Sequence, residues 1–172
     1  SMDKGEWTIN KEALNLRDTV QEISGKYQEQ ADIKQLDLQF FIAQGLPEIV
    51  LGDIEKLKLV LNIFLSNAIK FTDKGFIHLF VQVEKKSERS IGIKFTIKDT
   101  GIGIKYDMQE ELFTSFTQGD SSSTKSYQGT GIGLAMAEKT IAYMGGNVGF
   151  SSSEFMGSSF WFTLDFEKLE KE

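Results

Sequence analysis

Three glycines at alternate positions, Gly129, Gly131 and Gly133, run directly into an apolar pattern of Leu134, Ala135, Ala137, Ile141, Ala142 and Met144. A glycine-rich turn that opens a helix gathers bare backbone N–H groups and the positive end of the helix dipole in one place, which suits a phosphate. Polar residues 117–128 (TQGDSSSTKSYQ) precede it with nothing to pack. Taken alone, the stretch reads equally as a flexible loop before an ordinary helix. A second cluster, Asp99-Thr100-Gly101-Ile102-Gly103-Ile104, follows the alternating run Ile91 to Ile97 and therefore stands where a strand ends. A third feature lies upstream, where Asn67 and Lys70 interrupt the apolar helix pattern of residues 65–72 (LSNAIKFT) at i, i+3 spacing on one face. An amide oxygen there can hold a divalent cation, and an ammonium can meet a phosphate oxygen. In the plainer reading the pair simply marks the solvated end of that helix.

Familiar phosphate signatures fit neither glycine cluster. No Gly-Lys-Ser/Thr is present, so there is no P-loop. Leu134 stands where a dinucleotide fingerprint needs its third glycine. The motif set of protein kinases is absent as well. With no cysteine and one histidine, disulfides, thiolate or multi-histidine metal sites and a cysteine nucleophile are excluded, and a reducing compartment is compatible. A net charge of −6 argues against sequence-independent nucleic-acid binding. No apolar run approaches the ~20 residues that span a bilayer, and no signal peptide is visible.

The elements that must position these groups follow from periodicity. At 172 residues the chain is expected to form one domain. Residues 7–16 read as a short strand leading into a helix over about 16–31, on which Leu16, Val20, Ile23 and Tyr27 recur. Leu36, Leu38 and Phe40 alternate as a strand, and residues 44–47 form a turn around the single proline, Pro47. Asp53 caps a helix over about 53–70, which Asp73-Lys74-Gly75 stops. Strands 76–83 and 91–97 form an antiparallel hairpin across the charged turn 84–89. A short helix is expected near 107–113, then a helix over about 131–144 ended by Gly145-Gly146, then strands near 147–151 and 158–166. The fold class is α+β, a two-layer sandwich of a mixed, mostly antiparallel sheet against about three helices.

With these features in place, the chain resembles the catalytic ATP-binding domain of sensor histidine kinases, in the GHKL superfamily with its Bergerat ATP-binding fold. Asn67, Ala68, Lys70, Phe71 and Thr72 resemble its N box, and Asp99-Thr100-Gly101-Ile102-Gly103 its G1 box. Phe113-Thr114-Ser115-Phe116 with Gln118-Gly119-Asp120 resembles its F box, and Gly129-Thr130-Gly131-Ile132-Gly133-Leu134 its G2 box. Asp53, Met144-Gly145-Gly146 and Gly157-Ser158-Ser159-Phe160 agree as flanking features, and the flavour of the boxes is that of hybrid kinases. The resemblance covers residues 6–167, with residues 1–5 read as a cloning remnant or linker and 168–172 as a tail.

The resemblance implies that ATP and Mg²⁺ are the cofactors. Asp99 would accept a hydrogen bond from the adenine amino group, and Gly101 and Gly103 would let backbone approach the base. Asn67 would hold Mg²⁺ and Lys70 would reach a phosphate. Gly129, Thr130, Gly131, Gly133 and Leu134 would set amides against the phosphates. Residues 114–128 would form the ATP lid, anchored by Phe113 and Phe116, with Lys125 on a phosphate. The implied partners are a histidine phosphoacceptor and dimerisation domain of the same protein and a response-regulator receiver domain, with no nucleic acid and no membrane contact by this part. Its need for ATP implies a cytoplasmic site, on a parent that can be membrane-anchored.

The chain departs from the family pattern on one helix face. Many family members carry an asparagine one turn before Asn67 and a glutamine a turn earlier, where this chain has Ile63 and Leu59. Asn62 lies about 100° away around the helix and replaces neither unless a π-bulge intervenes. The departure bears on metal handling and phosphoryl transfer more than on adenine recognition. The alternative reading is therefore a catalytically degenerate module that binds ATP or ADP and transfers nothing. The one histidine, His78, alternates with Ile77 and Leu79 as a strand residue and has no phosphoacceptor pattern around it.

Overall fold

The computed structural model describes residues 7–103 and 131–169. The expected helix near 107–113, the lid 114–128, Phe113, Phe116, Lys125, Gly129 and Thr130 lie outside the described residues. In chain order the elements are β1 (Glu12–Leu14), α1 (Leu16–Ile33), β2 (Asp37–Ile42), β3 (Val50–Gly52), α2 (Ile54–Phe71), β4 (Phe76–Lys86), β5 (Ser90–Asp99), α3 (Gly131–Tyr143), β6 (Asn147–Ser153) and β7 (Gly157–Lys168).

The strands form one sheet in the order β1-β3-β7-β5-β4-β2, with β6 also paired to β7. Only β2 and β4 run parallel; every other pairing is antiparallel. Strict alternation divides the sheet into two faces. Ile77, Leu79 and Val81 of β4, Ile91, Ile93, Phe95 and Ile97 of β5, and Phe162, Leu164 and Phe166 of β7 are buried toward the helices. From the helix side, Leu57, Val60, Leu61, Phe64, Leu65 and Ala68 of α2 meet them, each buried to 5% exposure or less. Full burial of such a side chain contributes about 1.5–3 kcal/mol, so this α2–sheet seam holds the two layers together. Phe162 lies at its centre, stacked between Phe95 (4.7 Å) and Phe64 (5.7 Å). The α+β two-layer sandwich expected from the sequence is the fold observed.

Two local expectations need correction. The hairpin strands run further than their apolar residues, to Lys86 and from Ser90, with a bulge between Val83 and Lys85. Backbone pairing continues past the polar side chains because Ser87 closes a tight turn, its N–H and hydroxyl both bonding Ser90 O. Strand β3 was not expected at all. It has three residues, and it pairs with β1 and with Glu167–Lys168, which local patterning cannot reveal.

His78 sits on the sheet face away from the helices, stacked on Phe76 at 4.0 Å and 3.8 Å from Asp37 Oδ2. That position agrees with its reading as an ordinary strand residue.

Asp53 starts α2 as expected, accepting from Lys56 N–H at 3.1 Å. Its second oxygen accepts from Asn10 N–H at 2.9 Å and faces the Lys56 ammonium at 3.0 Å. Burial alone would raise its pKa, but these hydrogen bonds and the lysine charge outweigh burial and lower it. A lowered carboxyl pKa stabilises the fold above the unfolded value of about 3.9, and that contribution is lost as pH falls through the lowered value. Asp53→Ala is therefore expected to cost about 1–2 kcal/mol at pH 7. Thermal melts should show the gap between parent and variant closing at acid pH; a gap independent of pH would refute the assignment.

Candidate nucleotide site

Helix α2 is the spine on which the candidate groups meet. It is α-helical from Ile54 to Phe71 without a π-bulge, so Ile63, Asn67 and Phe71 follow one another at i+4 steps. At one end, Ile63 Cγ2 lies 3.4 Å from where a Cβ on Gly133 would stand, which seats the first turn of α3 against α2. At the other end, the Phe71 carbonyl accepts from Ile102 N–H at 3.3 Å and closes on Gly101. The start of α3 and the Asp99 loop thus flank Asn67, roughly 12 Å apart along the helix axis.

Asp99 ends β5, and its two oxygens are divided between two tasks. Oδ1 accepts from Gly101 N–H at 2.8 Å and from Ser158 N–H at 3.2 Å. Oδ2 has no hydrogen bond among the described residues, which leaves an acceptor of fixed direction beside the loop. Burial pushes the carboxyl above the usual aspartate range, and the two amide hydrogen bonds oppose that shift without cancelling it. Close by, Thr72 is buried and its Oγ1 has no hydrogen-bond partner among the described residues. That hydroxyl would lie 3.0 Å from a Cβ at Gly101.

The glycines of this loop have a structural reason beyond the expected approach of a base. A Cβ at Gly101 would meet the Phe71 carbonyl at 2.5 Å, and one at Gly103 (φ +73°) would meet the Ser153 carbonyl. The fold itself needs both positions bare, because the loop is clamped between α2 and the β6–β7 turn. Gly75 serves the same region: a side chain there would strike Thr100 Oγ1, which accepts from Phe76 N–H and donates to Lys74 O.

On α2, Asn67 Nδ2 is buried and has no hydrogen-bond partner among the described residues. Such a group costs about 1–3 kcal/mol until something binds it, so its amide is an unfilled hydrogen-bonding position in the fold. Lys70 is exposed, its ammonium over the Phe71 ring at 5.4 Å, and no carboxylate among the described residues pairs with it. Asn62 is turned the other way, its Oδ1 accepting from Tyr27 O–H at 2.7 Å and Lys26 Nζ at 3.2 Å. It replaces nothing at the site. In α3, Leu134 is buried at 3% exposure and packs in the core. Gly131 opens that helix and Gly133 lies in its first turn, where N–H groups have no intrahelical acceptor.

Reasoning from sequence missed the roles of Thr72 and of the Ser158 N–H. The adjacent Gly157, at φ +102° and pressed on the Asp99 carbonyl, was the only local signal of the second.

Can these residues hold Mg²⁺? Among the described residues no cluster of three carboxylate or histidine groups exists. Mg²⁺ retains waters and is commonly held by substrate phosphates with few protein ligands, so one Asn67 amide oxygen fits that mode.

The chain is similar to known signalling proteins. It is 44% identical over 131 residues to hybrid signal transduction histidine kinase B of Dictyostelium discoideum, covering 76% of this chain and 7% of that protein. It is 35% identical over 171 residues to sensor histidine kinase GacS of Pseudomonas protegens, covering 99% of this chain and 19% of GacS. The chain thus spans a fifth or less of these two relatives. Among solved structures, full-length ShkA in complex with AMPPNP superposes with a TM-score of 0.78 at 26% identity, covering 95% of this chain and 32% of ShkA. The family model for histidine kinase-, DNA gyrase B- and HSP90-like ATPases matches residues 52–168, from the cap of α2 through the end of β7. On that match, which takes in α2, the Asp99 loop, α3 and the strand that carries Ser158, the chain belongs to the histidine kinase-, DNA gyrase B- and HSP90-like ATPase family.

Proposed function

We propose that residues 6–167 are the kinase domain of a hybrid-type sensor histidine kinase, which binds Mg-ATP and donates its γ-phosphate to a histidine on a separate dimerisation domain. The observation that carries this reading is the divided Asp99 carboxylate, with Oδ1 held by two amides and Oδ2 open to an amino donor. Adenine would bind there, with the triphosphate running along α2 past Asn67 and Lys70 to the start of α3. Lys70 would offset charge on the phosphates, and the amides of Gly129 to Leu134 would take their oxygens. Bound Mg²⁺, held by Asn67, would neutralise developing charge on the phosphates. The partner imidazole nitrogen attacks the γ-phosphorus in line, and the bond to the β-phosphate oxygen breaks to release ADP. Lys125 and the lid 114–128 would cover the phosphates. A receiver domain is the proposed next acceptor, and the need for ATP puts this domain in the cytoplasm. No helix among the described residues is long and apolar enough to cross a membrane.

Joining the chain to a phosphoacceptor domain and supplying γ-labelled ATP tests the proposal. Label on the acceptor histidine is expected. Tight ATP and ADP binding without transfer to any matched acceptor would favour the alternative, a nucleotide-responsive module.

A further inference from the structure

We infer that Ile63 makes nucleotide binding by this chain largely independent of Mg²⁺. The inference rests on the reading of this site as one for Mg-ATP and concerns what α2 offers the metal. Four positions of α2 share the relevant face: Leu59, Ile63, Asn67 and Lys70. Leu59 and Ile63 carry no lone pair, and Lys70 is a cation. The one other side-chain amide on α2, Asn62, is held on the α1 side by Tyr27 and Lys26, and the regular helix gives it no route to the site. The α2 helix therefore presents a single neutral oxygen, on Asn67, to a divalent cation.

Ile63 is not a passive gap in this face. Its Cγ2 comes within 3.4 Å of where a Cβ on Gly133 would stand, so an apolar methyl packs on the first turn of α3 one helical turn before Asn67. That contact packs α2 against the first turn of α3, and Asn67 Nδ2 is buried with no acceptor among the described residues. Charge on the phosphates is then met by Lys70, which has no anionic partner among the described residues, and by the dipole of α3. Neither depends on a metal ion. Ile63 is thus a specificity-determining residue: it shifts phosphate recognition from the metal to the protein.

Calorimetric titration of the chain with ATP, in Mg²⁺ and in EDTA, tests this directly. Affinity is expected to differ by less than about threefold between the two, and by about tenfold or more in Ile63→Asn, where a second amide oxygen faces the metal. Ile63→Val, which keeps an apolar side chain against Gly133, should retain the small difference. A second readout uses Mn²⁺ in place of Mg²⁺, its free-ion electron-resonance signal reporting occupancy without any turnover. At fixed ATP, Ile63→Asn should withdraw more Mn²⁺ from solution than the parent. A parent affinity that falls about tenfold or more in EDTA overturns the inference while leaving the nucleotide reading intact. Equal metal dependence in a folded Ile63→Asn overturns it too. Absence of ATP binding in both conditions overturns the nucleotide reading itself, and this inference with it.

Discussion

Replacing Asp99 by Asn is expected to weaken ATP and ADP binding alike by about 10- to 100-fold, because a hydrogen bond to a charged group contributes about 1.5–3 kcal/mol. The geometry explains why so conservative a change should act so strongly. Oδ1 is committed to the Gly101 and Ser158 N–H groups, so the single oxygen of an asparagine is drawn to that place. Its NH₂ must then occupy the Oδ2 position, where it opposes the amino group of adenine donor to donor. Both nucleotides share the base, so both should lose affinity equally; a loss confined to ATP would move Asp99 to the phosphate end.

The same substitution should not destabilise the chain. Burial raises the Asp99 pKa, so the ionised carboxylate costs folding free energy above the unfolded pKa of about 3.9. The neutral amide removes that cost, and the variant should melt at or above the parent temperature at pH 7. In the parent, ATP affinity should fall with pH once the raised pKa is approached, which happens above the ordinary aspartate range. The variant should show no fall in that window. Calorimetry at neutral and mildly acid pH, with melts of both proteins, checks the three statements together.

Gly157→Ala should damage fold and site at once. Gly157 has φ +102°, and a Cβ there would stand 2.2 Å from the Asp99 carbonyl oxygen and 3.0 Å from Thr100 Cα. Both obstacles are backbone atoms of a paired strand end, so the strand must shift. The expected cost is about 2 kcal/mol or more from strain and displacement, which lowers the melting temperature by about 4–8 °C in a chain of this size. The shift also separates Ser158 N–H from Asp99 Oδ1, so ATP affinity should fall even well below the melting temperature. Gly145→Ala is the control. Gly145 has φ +83° with nothing within 4 Å, so alanine there meets backbone strain of about 1–2 kcal/mol without a clash. Nucleotide affinity should be unchanged in that variant. Equal affinities for both glycine variants would remove the proposed link between the β6–β7 turn and Asp99.

Much of this architecture is legible before any coordinates. Asp53 announces the start of α2 because an N-cap acts on the amide three residues ahead. Gly145 and Gly146 announce the end of α3 for the same kind of local reason, and the alternation in residues 76–83 and 91–97 assigns each side chain of the hairpin to a face. Strand β3 escapes because its pairing partners are distant and its three residues carry no period. The glycines of the Asp99 loop are legible as a loop, but their stated reason changes: they admit protein backbone from α2 and the β6–β7 turn.

From residue type and spacing alone come the helices and strands, the α+β class, and the set of groups able to meet a nucleotide, Asn67, Lys70, Asp99 and the glycines. Caps, periodicities and glycine turns act over one or two turns of chain, so they are written locally. Only the tertiary structure decides how those groups are used. Asp99 divides its oxygens because an N–H from a residue 59 positions away reaches one of them. Asn62 is removed from the site because a tyrosine 35 positions away claims its amide. Ile63 faces Gly133 because α2 and α3 pack across the same layer. Each outcome depends on which distant residue arrives first at a hydrogen bond or a cavity, and packing of the whole chain settles that.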